Sequence, residues 1–239
     1  MIHHVTAISK SYEENKRFYT QVLGMKYVKE NVNQDDVGTY HLYYGDPKAS
    51  PGSLMTFFIY PDAQKGEVGF GAASGIKLEV PKAKFEELKR SLGEEFEDPD
   101  GLKIKIFPGE DYKIIGVMTP GSKKFLEDFD LEADNDFVTF DKPAVMGFGS
   151  IHHVAYSAKD DEAQLKQREK LYRTSFNVSP VIDRYYFKSI YFHEPNGCLL
   201  EIATDGPGFF IDEKELGSKL CLPPRLEPKR KEIERMLRK

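Results

Sequence analysis

The chain has two cysteines, Cys198 and Cys221, and no tryptophan among its 239 residues. Two cysteines cannot build the disulfide framework of a small secreted fold, and none are paired at zinc-finger spacing. No apolar run approaches the roughly 20 residues that a membrane-crossing helix needs. The first residues enter an apolar-histidine strand at once, without the basic region, apolar stretch and cleavage site of a secretory signal. A Walker-type glycine loop is missing, and so is a Gly-x-Ser-x-Gly elbow. Charge is balanced, with a formal net of −5, so nothing in it draws the chain to nucleic acid or an anionic membrane. The sequence thus predicts a cytoplasmic chain with a small-molecule partner, no nucleic acid, no membrane and no organic cofactor, and leaves a homo-oligomer open.

What the chain does have is a repeated histidine motif. Ile-His-His-Val occupies residues 2–5 and again 151–154. Each copy opens the same order of elements, βαβββ. In the first, Ile2 to Ser9 reads as a strand, and Ser11 with Glu14 forms a capping box for a helix that Gly24 ends. Strands over Met25 to Asn31, Thr39 to Tyr44 and Leu54 to Tyr60 follow. In the last, strand Ser150 to Ser157 leads into a charged helix, Asp160 to Arg173. The strands Val178 to Tyr186, Ser189 to His193 and Cys198 to Thr204 complete it.

Between them lie a second unit (Gly75 to Val80, helix Lys82 to Leu92, a closing strand after Asp98-Pro-Asp-Gly) and an abbreviated third one over 114–140. The expected division is a first module over 1–62, a second plus shortened third over 73–145, a last module over 150–210, and a tail over 211–239 with a short helix. Internal repetition decides architecture before other signals do, so the fold class is α+β, with repeated βαβββ modules.

Aligning the closing strands on their turn glycine separates the modules. Four residues after Gly197 comes Glu201; four after Gly52 comes Thr56, and four after Gly101 comes Lys105. Glu201 lies among Leu199, Leu200, Ile202 and Ala203, where a carboxylate is costly to bury unless paired or bound to a metal. With one histidine from each repeated strand it makes a two-histidine, one-carboxylate set, His4, His153 and Glu201, which leaves positions open for small molecules. Neighbouring residues on a regular strand point to opposite faces. His3 and His152 therefore either face away, or are brought to the rim by a local twist as acid-base groups.

Tyr191 and Arg184 fall on the strands beside Glu201, where they could donate to a developing negative charge; Tyr191 as ordinary strand tyrosine and Arg184 paired with Asp183 or another surface acid is the structural alternative. His41 and His193 are expected to face solvent. The tail from Arg225 to Lys239 carries seven Lys or Arg and three Glu. It reads as a solvated helix packing Ile233, Met236 and Leu237 on the body rather than as a nucleic-acid arm.

These residues resemble the vicinal oxygen chelate superfamily, and within it the dioxygenases that cleave hydroquinones. The resemblance rests on His-His-Val-Thr-Ala-Ile at 3–8, Gly-Thr-Tyr-His-Leu-Tyr-Tyr-Gly-Asp at 38–46, Ser-Pro-Gly at 50–52, Leu-Met-Thr-Phe-Phe at 54–58 and Ile-His-His-Val-Ala-Tyr at 151–156. The block from Val181 to Phe209 and the tail Leu-Pro-Pro-Arg-Leu-Glu-Pro-x-Arg belong to it too; it thins between about 110 and 145. It implies that the modules form curled, metal-enclosing mixed sheets, and it implies Fe(II), with Mn(II) as the alternative, on His4, His153 and Glu201, with His3, His152, Arg184 and Tyr191 around the bound ring. The implied reaction inserts O2 into a hydroquinone-type diol. Two other readings stand beside it: a glyoxalase-like metal isomerase or lyase, against which Thr56 in place of a second carboxylate argues, and a metal-free binding protein of the same fold.

Overall fold

A computed structural model describes residues 1–238; Lys239, the end of the expected tail, lies outside the described residues. Strand β1 (Ile2–Ser9) runs into α1 (Tyr12–Arg17), then β2 (Lys26–Asn33), β3 (Asp36–Gly45) and β4 (Leu54–Ile59). Next come β5 (Gly75–Pro81), α2 (Lys82–Ser91), β6 (Glu95–Glu97), β7 (Lys103–Gly109), β8 (Lys113–Thr119), α3 (Lys123–Asp128) and β9 (Asp136–Phe137). The remainder is β10 (Ile151–Ala158), α4 (Asp161–Arg173), β11 (Ile182–Asp183), β12 (Lys188–His193), β13 (Leu199–Thr204) and α5 (Arg230–Met236).

Local chemistry explains the main boundaries. Ser11 accepts the Glu14 amide at the start of α1, and Asp160 accepts the Ala163 amide at the start of α4. Gly52, Gly101 and Gly197 all sit in the left-handed region, with φ of 96°, 90° and 90°. Only glycine adopts that conformation without strain, so the turn that sets the register of each closing strand is shared by all three modules.

Eight strands form one mixed sheet in the order β11-β12-β13-β10-β1-β4-β3-β2, and five form a second, β6-β7-β5-β8-β9. The large sheet is two four-stranded halves joined where β1 meets β10 antiparallel. In each half the first and closing strands are parallel neighbours, β1 with β4 and β10 with β13. Laid flat, its edge strands would stand on the order of 30 Å apart, at about 4.8 Å per strand. Instead the residue following β11 touches the β2–β3 turn: Arg184 makes two bonds to the Asp35 carboxylate at 2.8 and 3.0 Å, and its carbonyl accepts from Gln34 at 2.8 Å. The sheet is therefore curled into a half-barrel. One buried apolar cluster joins Val5, Phe57, Val154 and Ile190 of this sheet to Ile76 and Ile104 of the smaller one.

Three expectations need correction. The predicted strand over 178–186 is reduced to β11, because Pro180 offers no N–H to a ladder and Tyr185 takes a φ of 74°. The second module, expected to show a strand, a helix and a closing strand, has a further strand, β6, whose Glu95 and Glu97 are exposed and give no apolar signal. In the tail, Ile233 is buried against Val32 and Leu222 as expected, whereas Met236 stays exposed.

Candidate active site

His4 and His153 come from the two strands at the sheet's centre, where the register sets Thr6 opposite His153 and His4 opposite Ala155. Glu201 enters from β13, beside Ala155. The Glu201 Oε2 atom lies 2.9 Å from His153 Nε2 and 3.4 Å from His4 Nε2, and the two nitrogens are 3.3 Å apart. Glu201 is fully buried, and its Oε1 is held by the Ser189 hydroxyl at 2.5 Å. Oε2 has no hydrogen-bond partner of acceptable geometry. A carboxylate oxygen taken out of water and left without a donor costs about 1–3 kcal/mol or more, so its environment is built for something other than a hydrogen bond.

The paired histidines are arranged by backbone irregularity. The ladder slips between Ile2 and His4 on one strand, and between Ile151 and His153 on the other, so that His3 and His152 are each the extra residue of a bulge. Bulges re-aim side chains. Here they set His3 Nδ1 at 2.9 Å from His4 Nδ1, and His152 Nδ1 at 2.8 Å from His153 Nδ1. His3 also bonds the Thr204 backbone. When the outer ring accepts at Nδ1, the inner ring carries its proton on Nδ1 and turns the Nε2 lone pair towards Glu201.

The electrostatics agree. Burial lowers the His153 pKa, and burial together with the neighbouring histidine lowers His152 to about 4 and His3 to about 3. Burial would raise Glu201, but His4 and His153 more than reverse it, leaving the carboxyl well below its usual range. An ionised carboxylate beside two ring nitrogens, their ligand atoms all within 4.8 Å of one another, is a donor set suited to a divalent ion.

This cluster forms part of a cavity of about 410 Å³. His152, Arg184 and Tyr191 line it with His4, His153 and Glu201; His3 stands behind His4, packed on Phe187. Arg184 donates to the Tyr191 hydroxyl at 3.2 Å while Asp35 holds its guanidinium from outside. Its partner is thus a surface acid, as the structural alternative allowed, but Asp35 rather than Asp183. Burial works against the Arg184 charge and the Asp35 carboxylate more than offsets it, so Arg184 stays protonated. Burial and Glu201 raise the Tyr191 phenol, which keeps its proton to donate.

His193 is exposed, as expected. His41 is not: it lines the cavity, its Nε2 2.9 Å from Thr56 Oγ1 and its Nδ1 2.8 Å from the Tyr43 hydroxyl. Ser189, Asp35, Thr6 and Tyr43 also escaped the sequence reading. Strand alternation held a signal for one of them, since pairing β3 with β4 sets Tyr43 opposite Thr56 and puts His41 on the same face.

A family model described as Glyoxalase/Bleomycin resistance protein/Dioxygenase superfamily matches residues 1–202. MhqO of Bacillus subtilis (strain 168), provisionally named a ring-cleaving dioxygenase, is 36% identical over 99% of this chain and 95% of its own. That alignment runs over 296 positions against 239 residues here, so at least 57 of them have no counterpart in this chain. The chlorohydroquinone/hydroquinone 1,2-dioxygenase of Sphingobium indicum is 25% identical over 99% of this chain and 95% of its own. A crystal structure from Bacillus subtilis, provisionally described as a dioxygenase, superimposes with a TM-score of 0.87 at 34% identity, covering 100% of this chain and 96% of that one.

Proposed function

Since the chain belongs to the glyoxalase/bleomycin resistance protein/dioxygenase superfamily, we propose that it is a ring-cleaving dioxygenase acting on a hydroquinone-type aromatic diol, with Fe(II) or Mn(II) held by His4, His153 and Glu201. At family level the relatives named as ring-cleaving dioxygenases support an enzyme of this type; the para-diol substrate is suggested by the relative named for hydroquinone. The observation that carries the metal reading is Glu201 Oε2, buried without a hydrogen-bond donor and flanked by the Nε2 atoms of both histidines.

When bound there, the ion would supply a Lewis acid for a phenolic oxygen and a route for electrons between the ring and O2. The chain's own groups do the rest. Phe58, Phe187 and Leu199 give the cavity apolar walls against which a ring can lie. Arg184 and the protonated Tyr191 present positive charge and a donor on one side, where negative charge on oxygen would be stabilised. His152 is neutral near pH 7, and its Nε2 is the ring atom left to exchange a proton with a bound molecule. Thr56 stands where the other half of the sheet carries Glu201, so the paired carboxylates that would suit proton shuttling in an isomerase are not both present.

The test is metal content of the purified protein, then O2 consumption after anaerobic Fe(II) loading with hydroquinone and catechol in parallel. About one iron per chain with uptake on hydroquinone is expected, and Glu201→Ala should lose both. Uptake on catechol alone would change the substrate class. Zinc or nickel with no O2 uptake would point to an isomerase. Full metal content and turnover in Glu201→Ala would refute the scheme.

A further inference from the structure

Beside the cluster of His4, His153 and Glu201 the cavity carries one further pair of charges, and the two are already joined to each other. Among the described residues that line it, Arg184 is the only lysine or arginine, and Asp35 and Glu201 are the only carboxylates. The Asp35 carboxylate takes both terminal nitrogens of the Arg184 guanidinium, Nη2 to Oδ2 at 2.8 Å and Nη1 to Oδ1 at 3.0 Å. The third nitrogen, Nε, donates to the Tyr191 hydroxyl. Asp35 is exposed and Arg184 largely buried, so the carboxylate meets the cation from the solvent side.

Resting on the reading of His4, His153 and Glu201 as ligands, we propose that Asp35 is a specificity-determining residue: by occupying the Arg184 guanidinium it restricts the site to aromatic diols without an ionised substituent and rejects those that carry a carboxylate.

The charges decide this. A divalent ion, the Glu201 carboxylate and one phenolate sum to zero, and Arg184 with Asp35 sums to zero beside them. Hydrogen bonding to Arg184 holds Asp35 below the usual carboxylate range, so both partners are charged at neutral pH. His41 and His152 add no charge near pH 7, because burial keeps both rings neutral. A carboxylate on the ring would leave water for a cavity whose cation is already paired, and a buried charge without a partner is costly. Three of the five guanidinium N–H groups are taken. The other two can still donate, but the charge behind them is met by Asp35.

Zinc-loaded protein, which cannot turn over, tests this with 4-nitrophenol and 4-hydroxybenzoate, two rings of one shape in which a neutral nitro group stands for the carboxylate. The readout is the ratio of the two Kd values in each variant relative to the wild type, in which the differing acidity of the phenols cancels. Asp35→Asn and Asp35→Ala should each shift that ratio about tenfold towards 4-hydroxybenzoate, the gain expected when the freed guanidinium can bond a charged oxygen. Asp35→Glu should keep the wild-type ratio. So should Gln34→Ala, which cuts the neighbouring bond to the Arg184 carbonyl and leaves the charges alone. Loosened sheet edges by themselves would weaken both ligands together and leave the ratio where it was. An unchanged ratio in both Asp35 variants at one zinc per chain, or an equal shift in Gln34→Ala, would overturn the proposal while leaving the ligand set standing. Failure of the wild type to take up zinc, or of the zinc-loaded protein to bind 4-nitrophenol, would remove the ligand reading and this proposal with it.

Discussion

Thr56 and Glu201 hold equivalent places in the two halves of the large sheet: each follows a left-handed turn glycine by four residues, and each lies opposite a tyrosine, Tyr43 and Tyr191. The negative charge of the cluster is thus one-sided. Thr56→Glu would bury a second carboxylate near Glu201 and break the Thr56 bonds to His41 and Thr6. In metal-free protein an uncompensated buried charge should cost about 3–5 kcal/mol. Added zinc should raise the melting temperature of this variant more than that of the wild type. Equal zinc shifts in the two proteins would show that position 56 does not face the cluster.

Ser189 fixes Glu201 by its Oε1 atom. Partners that orient a metal ligand typically contribute about 10–100-fold in affinity, so Ser189→Ala should weaken Zn(II) or Fe(II) binding by about that factor, read by chelator competition. Its fold should survive, because the lost group is one buried hydroxyl.

Acid should destabilise the metal-free protein beginning below about pH 6.5. His3 and His152 titrate near 3 and 4 when folded, against 6.5 when unfolded. The unfolded chain therefore binds more protons throughout that window, and stability falls with pH by up to about 1.4 kcal/mol per unit for each ring. Asp98 works the other way: burial raises it to about 6, so the folded state takes up its proton first and gains stability between about 6 and 3.8. Burial depresses His41 and His153 as well and raises Asp100 along with Asp98, and the four depressed histidines leave a net loss. A melting temperature that rises from pH 6.5 to 5 would contradict this balance.

Lys29 of β2 is fully buried between Asp212 at 2.7 Å and Glu213 at 2.5 Å, with Cys221 Sγ 3.7 Å away. Tyr186 also donates to Asp212. The ammonium occupies the centre of this acidic cluster and ties the tail segment to the sheet. Lys29→Met would strand two carboxylates and should cost about 3–5 kcal/mol, a fall in melting temperature on the order of 10 °C. Adding Glu213→Gln should recover part of it. A single variant as stable as the wild type would mean that water replaces the lysine.

The repeat made the architecture legible. Two Ile-His-His-Val strands and the residue four past each turn glycine were enough to single out His4, His153 and Glu201 as one set, because both signals depend on local backbone chemistry that a sequence displays. The bulges at His3 and His152 were not visible, since a bulge is a property of a pair of strands and neither strand carries it alone. His41 was missed for a related reason. Its counterpart in the other half is Ser189, so no repeated residue type marks it, and its partner is a residue of the neighbouring strand, Thr56. The Asp35–Arg184 pair was hidden further still, because it forms only once the sheet has curled far enough for its two edges to meet.

That β1 and β10 are neighbours while their histidines stand 149 residues apart bears on how the protein is made. A chain leaving the ribosome presents β1 to β4 first, with β1 as an open edge, and must produce all of β5 to β9 before the strand that covers that edge appears. Glu201 follows later still. Such distant pairing is slow relative to local structure, and an exposed edge strand invites the wrong partner in the interval. The histidine–glutamate cluster is therefore among the last features a nascent chain can complete, and the smaller sheet, finished earlier, offers a folded surface against which the first half can rest until its second half arrives.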